Sequence, residues 1–274
     1  MSRKFHFTKD TMKRLKDFVA DKEPADEEAA QAPEKAAFAV YARTDVGKMR
    51  ASNQDALVVD DTLRLYGVAD GMGGHNGGET ASAGARDGMI ELLQGKEPSL
   101  DNLRGAIAEV NSRLFRQQAE DEKLSGMGTT LSVLWMSEHF MYLGHVGDSR
   151  IYRMRDGKLS QMTDDHSLVE ELVRAGMLTQ EQAANHPMKN VITRAVGTEE
   201  GIDADLAVEE RKSGDLWLIC SDGLHGLVSD RAMESILSVN TPEAAADLLL
   251  EAALKAGGRD NISLVILRDE EGAR

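Results

Sequence analysis

The sequence is short of cysteine, of long apolar runs and of positive charge, and each shortage excludes a class of protein. Its only cysteine, Cys220, has no partner for an internal disulfide, and no cysteine cluster exists to build a zinc or iron–sulfur site. A reducing interior fits that usage. No apolar stretch approaches the roughly 18 residues needed to cross a bilayer. The opening MSRKFHFTKDTMKRLKDF lacks the apolar h-region of a secretory signal, so a cytoplasmic location is expected. Lys and Arg total 32 against 47 Asp and Glu, a formal net charge of −15, which repels phosphate backbones and argues against nucleic acid as a partner. The rest is ordinary: 274 residues, 41% hydrophobic and 29% charged, suit a chain that folds around a sizeable core.

Composition shifts near residue 38. Residues 1–20 carry six Lys/Arg against two acids, with Met12, Leu15, Phe18 and Val19 at helical spacing, and residues 21–37 turn acidic and rich in Ala, Glu and Pro. This N-terminal extension (1–37) reads as a short amphipathic basic helix plus a linker. It either docks on the domain, on a partner or on an anionic surface, or stays a solvated tail. One domain spans 38–268, and 269–274 form a tail.

Within the domain, AFAVYAR, ALVVD and LRLYGVAD read as strands, each short, apolar and closed by polar residues or Gly. Helices are predicted over 78–94 and 99–119, the second starting at a Ser99 cap with Leu103, Ile107, Val110 and Leu114 on one face. TTLSVLWM, HFMYLGHV and RIYRMR continue as antiparallel strands, the last turning at Asp156-Gly157. A polar helical insertion over about 164–190 interrupts them as a surface flap, before strands near 191–196, 203–208 and 215–220. Helices at 230–237 and 242–256 precede a closing strand, NISLVILR. The order predicts an α+β fold, a four-layer α-β-β-α sandwich: two antiparallel sheets face to face, flanked by paired helices.

Four aspartates share one local setting. Asp70 ends LYGVAD before GMGG, Asp148 ends MYLGHVGD, Asp222 ends LWLICSD before Gly223, and Asp260 in GGRD precedes NISLVIL. A single Asp at a strand end ordinarily makes an Asx-turn or caps a helix. Several brought to one edge would repel severely without a cation. Oxygen donors without a His/Cys set point to magnesium or manganese, with calcium less suited to chemistry. Glycine after Asp70 allows close backbone approach and turns the Gly71 carbonyl toward such an ion. In TDVGKMRASNQD, Arg50 shortly precedes Asp55; it reads either as a surface salt-bridge residue or as the anchor by which an acidic protein holds a phosphate.

The ordered series TDVGKMRASNQD, VADGMGGH, GMGTTLSVLW, GHVGDSRIY, NVITRAVG, LICSDGL and GGRDNISLVIL resembles the metal-dependent protein phosphatases of type 2C, in their compact bacterial branch. The resemblance spans about 38–268 and makes that stretch a catalytic domain. It implies serine/threonine phosphatase activity with two Mn2+ or Mg2+ ions and a third, weaker site. By position, Asp70 would bridge the two metals and Gly71 would offer its carbonyl to one; Asp222 and Asp260 would complete the other. Asp148, with Asp222, would hold the third. Arg50 would match the phosphate-binding arginine, and Asp55 an acidic residue orienting metal-bound water. Hydrolysis would proceed by direct attack of a metal-bridged water or hydroxide on phosphorus, without a phosphoenzyme, so Cys220 in LWLIC is expected in the core.

Two positions depart from the family. Gln54 stands where Glu is frequent, giving an amide without charge, and Met72 stands where eukaryotic members carry a proposed proton-donating His. His75 is the nearby candidate for a general acid; otherwise water serves. The flap implies substrate choice, with His166 and Arg174, and beside them Asp164, Asp165, Glu170 and Glu171, as candidates against solvated helix faces. The implied partners are phosphorylated proteins and a cognate Ser/Thr kinase. The competing reading is a pseudophosphatase that binds phosphoproteins; a phosphate-loop nucleotide hydrolase is set aside because no GxxxxGK[ST] occurs.

Overall fold

The computed structural model describes residues 38–73 and 77–270. The expectations for residues 1–37, for His75 and for 271–274 therefore lie outside the described residues. The unit from residue 37 onward holds both sheets and the helices that cover them.

One sheet has the order β1 (Phe38–Asp45), β11 (Ile262–Asp269), β10 (Leu216–Cys220), β7 (Arg150–Arg155), β8 (Lys158–Gln161). The other runs β2 (Asp55–Asp60), β3 (Leu65–Met72), β5 (Leu131–Met136), β6 (Phe140–Val146), β9 (Asp205–Glu210), with β4 (Gly128–Thr129) paired to the end of β3. Every pairing is antiparallel. Helices α1 (Gly77–Leu93) and α2 (Leu100–Glu120) cover the second sheet, while α6 (Asp230–Val239) and α7 (Pro242–Lys255) cover the first. The flap holds α3 (Leu168–Arg174) and α4 (Gln180–Ala184), and a single turn, α5 (Asp222–His225), follows β10.

Three apolar layers separate these four. Tyr66, Val68, Leu134 and Leu143 meet Ile151, Trp217, Ile219 and Val265 between the sheets. Outside them, Leu103, Ile107, Val110 and Leu114 of α2 pack on one sheet, and Met233, Leu237, Ala245 and Leu249 on the other. Both faces of a strand such as LWLIC are thus buried, Trp217 and Ile219 inward and Leu216, Leu218 and Cys220 toward the helices, which explains its unbroken apolar run. Cys220 is a core residue whose thiol burial pushes well up, away from nucleophilic use.

Local signals act as their chemistry predicts. Ser99 caps α2 by accepting from the Asn102 N–H. Asp156 (φ 54°) and Gly157 (φ 75°) are both left-handed, as a two-residue hairpin turn requires. Two expectations need correction. Residues 191–196 are not a strand: they touch neighbours through isolated bridges, Ser167 to Ile192 and Thr129 to Val196, because the segment crosses from the flap to β4 and pairs with each at one residue only. The C-terminal tail does not begin at 269, since Asp269 closes β11 and its carboxylate forks onto buried Arg211 at 2.8 and 3.1 Å.

Candidate active site

The carboxylates gather at one end of the sandwich. Asp55 and Asp70 are register partners in β2 and β3, a like-charge pairing that a sheet tolerates poorly. Asp70 is fixed by its backbone: its N–H donates to Thr130 Oγ1 at 2.9 Å, and its carbonyl accepts from the Thr130 N–H and the Thr129 hydroxyl, each at 2.9 Å. From the other sheet come Asp222, opening α5 after β10, and Asp260, just before β11. Asp148 lies in the β6–β7 turn, where its carbonyl meets His225 Nε2 at 2.9 Å.

Glycines let these segments close. A Cβ on Gly71 would sit 2.0 Å from the Gly78 carbonyl oxygen and 2.5 Å from that of Gln54; one on Gly223 would sit 1.9 Å from the Asn261 carbonyl oxygen. Only glycine permits β3 to meet the start of α1, and α5 to meet the start of β11. The loop carrying Arg50 is stapled by Asn261, whose side chain donates to the Val46 and Ser52 carbonyls and accepts from the Gln54 N–H at 2.8–2.9 Å. Arg50 Nη2 then donates to Asp260 Oδ2 at 2.7 Å, leaving a half-exposed guanidinium at the rim.

Mutual repulsion is visible in the proton affinities. Burial first, then Asp55, Asp222, Asp148 and Asp260, holds Asp70 well above the usual carboxylate range. Asp222 is raised to about 6 by burial, Asp260 and Asp55, and Asp148 to about 8 by burial and Asp222. Asp55 is raised to about 6 by burial, against the pull of the Ser263 and Ser221 hydroxyls.

Do these residues suit a divalent cation? Asp55 Oδ1 and Asp222 Oδ1 are buried without a hydrogen-bond partner, a cost of about 1–3 kcal/mol each unless something positive compensates. Both carboxyls approach Asp70, a contact between acceptors that needs a proton or a cation between them. Among the described residues no three such side chains close into a full ligand cage. An all-oxygen set of that kind suits a hard ion that keeps much of its water, as magnesium and manganese do. The donor chemistry fits such an ion: Asp55, Asp70, Asp222 and Asp260 offer oxygen alone, two of their oxygens are orphaned, and Asp148 stands close enough to Asp222 to be raised by it.

The flap borders this centre. A cavity of about 310 Å³ lies between them, lined among others by Asp148, Asp222, Arg150, Asp165, Glu170 and Lys189. His166 does not serve as a surface selector of phosphopeptides. It is fully buried: its ring packs 4.7 Å from that of His145, its Nδ1 accepts from the Gly147 N–H at 3.1 Å, and its Nε2 lies 3.2 Å from Asp205. Its place is at the root of the flap, against the turn that presents Asp148. Arg174 is exposed on the flap and reaches the Asp165 carbonyl at 3.4 Å. Asp165 itself forks onto Arg150 at 2.8 Å through both oxygens, which holds its carboxyl below the usual range despite burial.

Sequence reasoning passed over Arg150, Ser221, Asn261 and Ser263. A signal existed for the last three, since each is a polar residue at the mouth of an otherwise apolar strand, where an unsatisfied polar group is costly. For Arg150 none existed, because its partner is fixed by the flap.

The architecture is that of solved bacterial phosphatases. A crystal structure of the serine/threonine phosphatase PstP/Ppp of Mycobacterium tuberculosis superposes with a TM-score of 0.80 at 38% identity, covering 85% of this chain and 99% of that one. One of the PstP catalytic domain in complex with two manganese ions gives 0.78 at 36%, covering 85% and 99%. Among curated proteins, the serine/threonine phosphatase stp of Listeria monocytogenes is 39% identical over 236 residues, covering 82% of this chain and 93% of that one. Full-length PstP is 39% identical over 228 residues, but the chain spans only 44% of its length. Residues 48–255 match the family model for protein phosphatase 2C. The chain belongs to the protein phosphatase 2C family.

Proposed function

We propose that the chain is a metal-dependent serine/threonine protein phosphatase that hydrolyses phosphoserine and phosphothreonine monoesters, using two Mn2+ or Mg2+ ions and a third, weaker site at Asp148 and Asp222. The observation that carries this is the meeting of Asp55, Asp70, Asp222 and Asp260 from both sheets, with orphaned buried oxygens on Asp55 and Asp222 and a half-exposed arginine on Asp260. When bound, the cations lower the pKa of water and offset charge on the phosphoryl oxygens.

The chain's own residues supply the remainder. Arg50 uses one of its five N–H donors on Asp260, so a phosphate at the rim receives a fork from the others. Asp260 in turn keeps that fork turned toward the carboxylates. The Gly71 backbone is held by the Gln54 carbonyl, which accepts from the Gly71 N–H at 3.1 Å and from the Ser82 hydroxyl at 2.6 Å. The flap walls one side of the site, and Arg174, exposed on it, is a flap cation left for a phosphopeptide. Phosphorylated proteins are the substrates, and a Ser/Thr kinase the opposing activity. Among the described residues no helix is long and apolar enough to cross a membrane, and the charge and cysteine usage support action in the cytoplasm.

A pseudophosphatase would have no need of repelling carboxylates kept at one edge. The test is hydrolysis of a phosphothreonine peptide with Mn2+, expected to vanish with chelator and in Asp222→Ala. Unchanged turnover in either case refutes the proposal.

A further inference from the structure

Asp55 is gripped by hydroxyl groups on one side only. The Ser221 hydroxyl donates to Asp55 Oδ2 at 2.9 Å, and the Ser263 side chain lies beside the same carboxylate, where it favours the charged form. Both serines are fully buried and belong to the opposite sheet: Ser221 follows β10 and Ser263 lies in β11, whereas Asp55 opens β2.

One arrangement of hydrogens satisfies every contact in this network. Asn53 Oδ1 accepts from the Asp55 N–H at 3.1 Å, which leaves Asn53 Nδ2 as the donor to Thr44 Oγ1 at 2.7 Å. The Thr44 hydrogen is then free for Ser263 Oγ, 2.8 Å away, and the Ser263 hydrogen for Asp55. In parallel the Ser263 N–H donates to Ser221 Oγ at 3.0 Å, and the Ser221 N–H donates to the Ser263 carbonyl at 3.0 Å, so the Ser221 hydrogen also turns to Asp55. In that arrangement the Ser221 hydrogen reaches Asp55 Oδ2 and the Ser263 hydrogen is left to turn to the same side. Its Oδ1 stays buried without a partner, within reach of Asp70.

A carboxylate beside several others swings away from them unless something holds it. We propose that Ser221 and Ser263, oriented by Thr44 and Asn53, are positioning residues that pin Asp55 across the two sheets, so that its free oxygen faces the metal centre. The role rests on the phosphatase reading of the site. It predicts that breaking the relay at its far end weakens metal binding although Thr44 never touches the centre.

The test is Mn2+ calorimetry on the intact chain, with melting of the chelated protein as the control for folding. Thr44 is exposed, so Thr44→Val changes little but the hydroxyl. Thr44→Val and Ser263→Ala are expected to lose roughly tenfold in Mn2+ affinity, the scale for groups that orient metal ligands, and Thr44→Ser to recover it. At saturating Mn2+ the KM for a phosphothreonine peptide stays put while kcat falls, since Asp55 does not bind the phosphate. Equal Mn2+ affinity in wild type and Thr44→Val overturns the inference, as does failure of Thr44→Ser to restore binding. Absence of Mn2+ uptake by the wild type overturns the phosphatase reading, and the inference falls with it. If Ser221→Ala or Ser263→Ala does not fold, the Thr44 pair decides.

Discussion

Arg50 offers the sharpest separation of function from stability. Its side chain is 51% exposed and pairs with Asp260 at 2.7 Å. An exposed pair of this kind contributes about 0–1 kcal/mol to folding, so Arg50→Ala shifts Tm by at most about 4 °C in a domain of this size. Binding is another matter. One of five N–H donors is spent on Asp260, and a phosphate taking two of the others gains two charge-assisted bonds of about 1.5–3 kcal/mol each. Partial exposure reduces the net to about 2–3 kcal/mol, or roughly 30- to 150-fold in kcat/KM. Arg50→Lys recovers less than half of that free energy, because a point charge cannot serve Asp260 and a phosphate in one plane. The assay is steady-state hydrolysis of a phosphothreonine peptide at saturating Mn2+, with calorimetry to show that Mn2+ affinity is not lowered. A kcat/KM for Arg50→Ala within about threefold of wild type, at unchanged Mn2+ affinity, would refute the role assigned to the guanidinium.

Four further outcomes are expected. Mn2+ at about 100 times its Kd stabilises the fold by about 2.7 kcal/mol, seen as a Tm rise that chelator reverses; Asp70→Asn abolishes that rise while melting higher than wild type in chelator, since it removes a charge repelled by Asp55 and Asp222. Gly71→Ala loses Mn2+ uptake, because the new methyl group meets backbone oxygens on two sides, and uptake at wild-type affinity would contradict that steric account. Asp269→Ala strands the buried Arg211 guanidinium at a cost of about 3–5 kcal/mol, whereas a double change to apolar residues of similar volume is near neutral by urea denaturation. His145 is depressed to about 4 by burial and by neighbouring His166, against the opposing pull of Asp165, Asp205 and the Asp164 carbonyl. The unfolded chain therefore binds the extra proton first, and stability falls by up to about 3 kcal/mol as pH drops from 6.5 toward 4. Comparison with His145→Gln isolates this effect from the carboxylate cluster, whose raised values act in the opposite direction; identical pH dependence of the two proteins would refute it.

Most of the secondary structure could be read from local pattern. The Ser99 cap, the α2 stripe and the Asp156-Gly157 turn each depend on residues within a helical turn or two of one another. Strands buried on both faces wrote unbroken apolar runs, and that pattern, alternating with helix pairs, sufficed for the layered architecture. The 191–196 segment shows the limit. Its apolar residues resemble a strand, but a strand exists only where a neighbour offers a continuous edge, and here each neighbour offers one residue.

The aspartates were legible by type and setting, as residues at strand mouths beside glycine. Which of them meet was not, because Arg50 and Asp260 are 210 positions apart and join only when β1 and β11 pair. The same reason separates His166 from Arg150: both are polar residues near the flap, yet packing buries one wholly against His145 and pairs the other with Asp165. Chemistry, charge and helical or strand period are properties of short stretches, and the amino-acid sequence by itself determined them. Strand register and the stacking of the two sheets join residues far apart in the chain. Only the tertiary structure decided that Asp55 faces Asp70 with serines of the other sheet behind it.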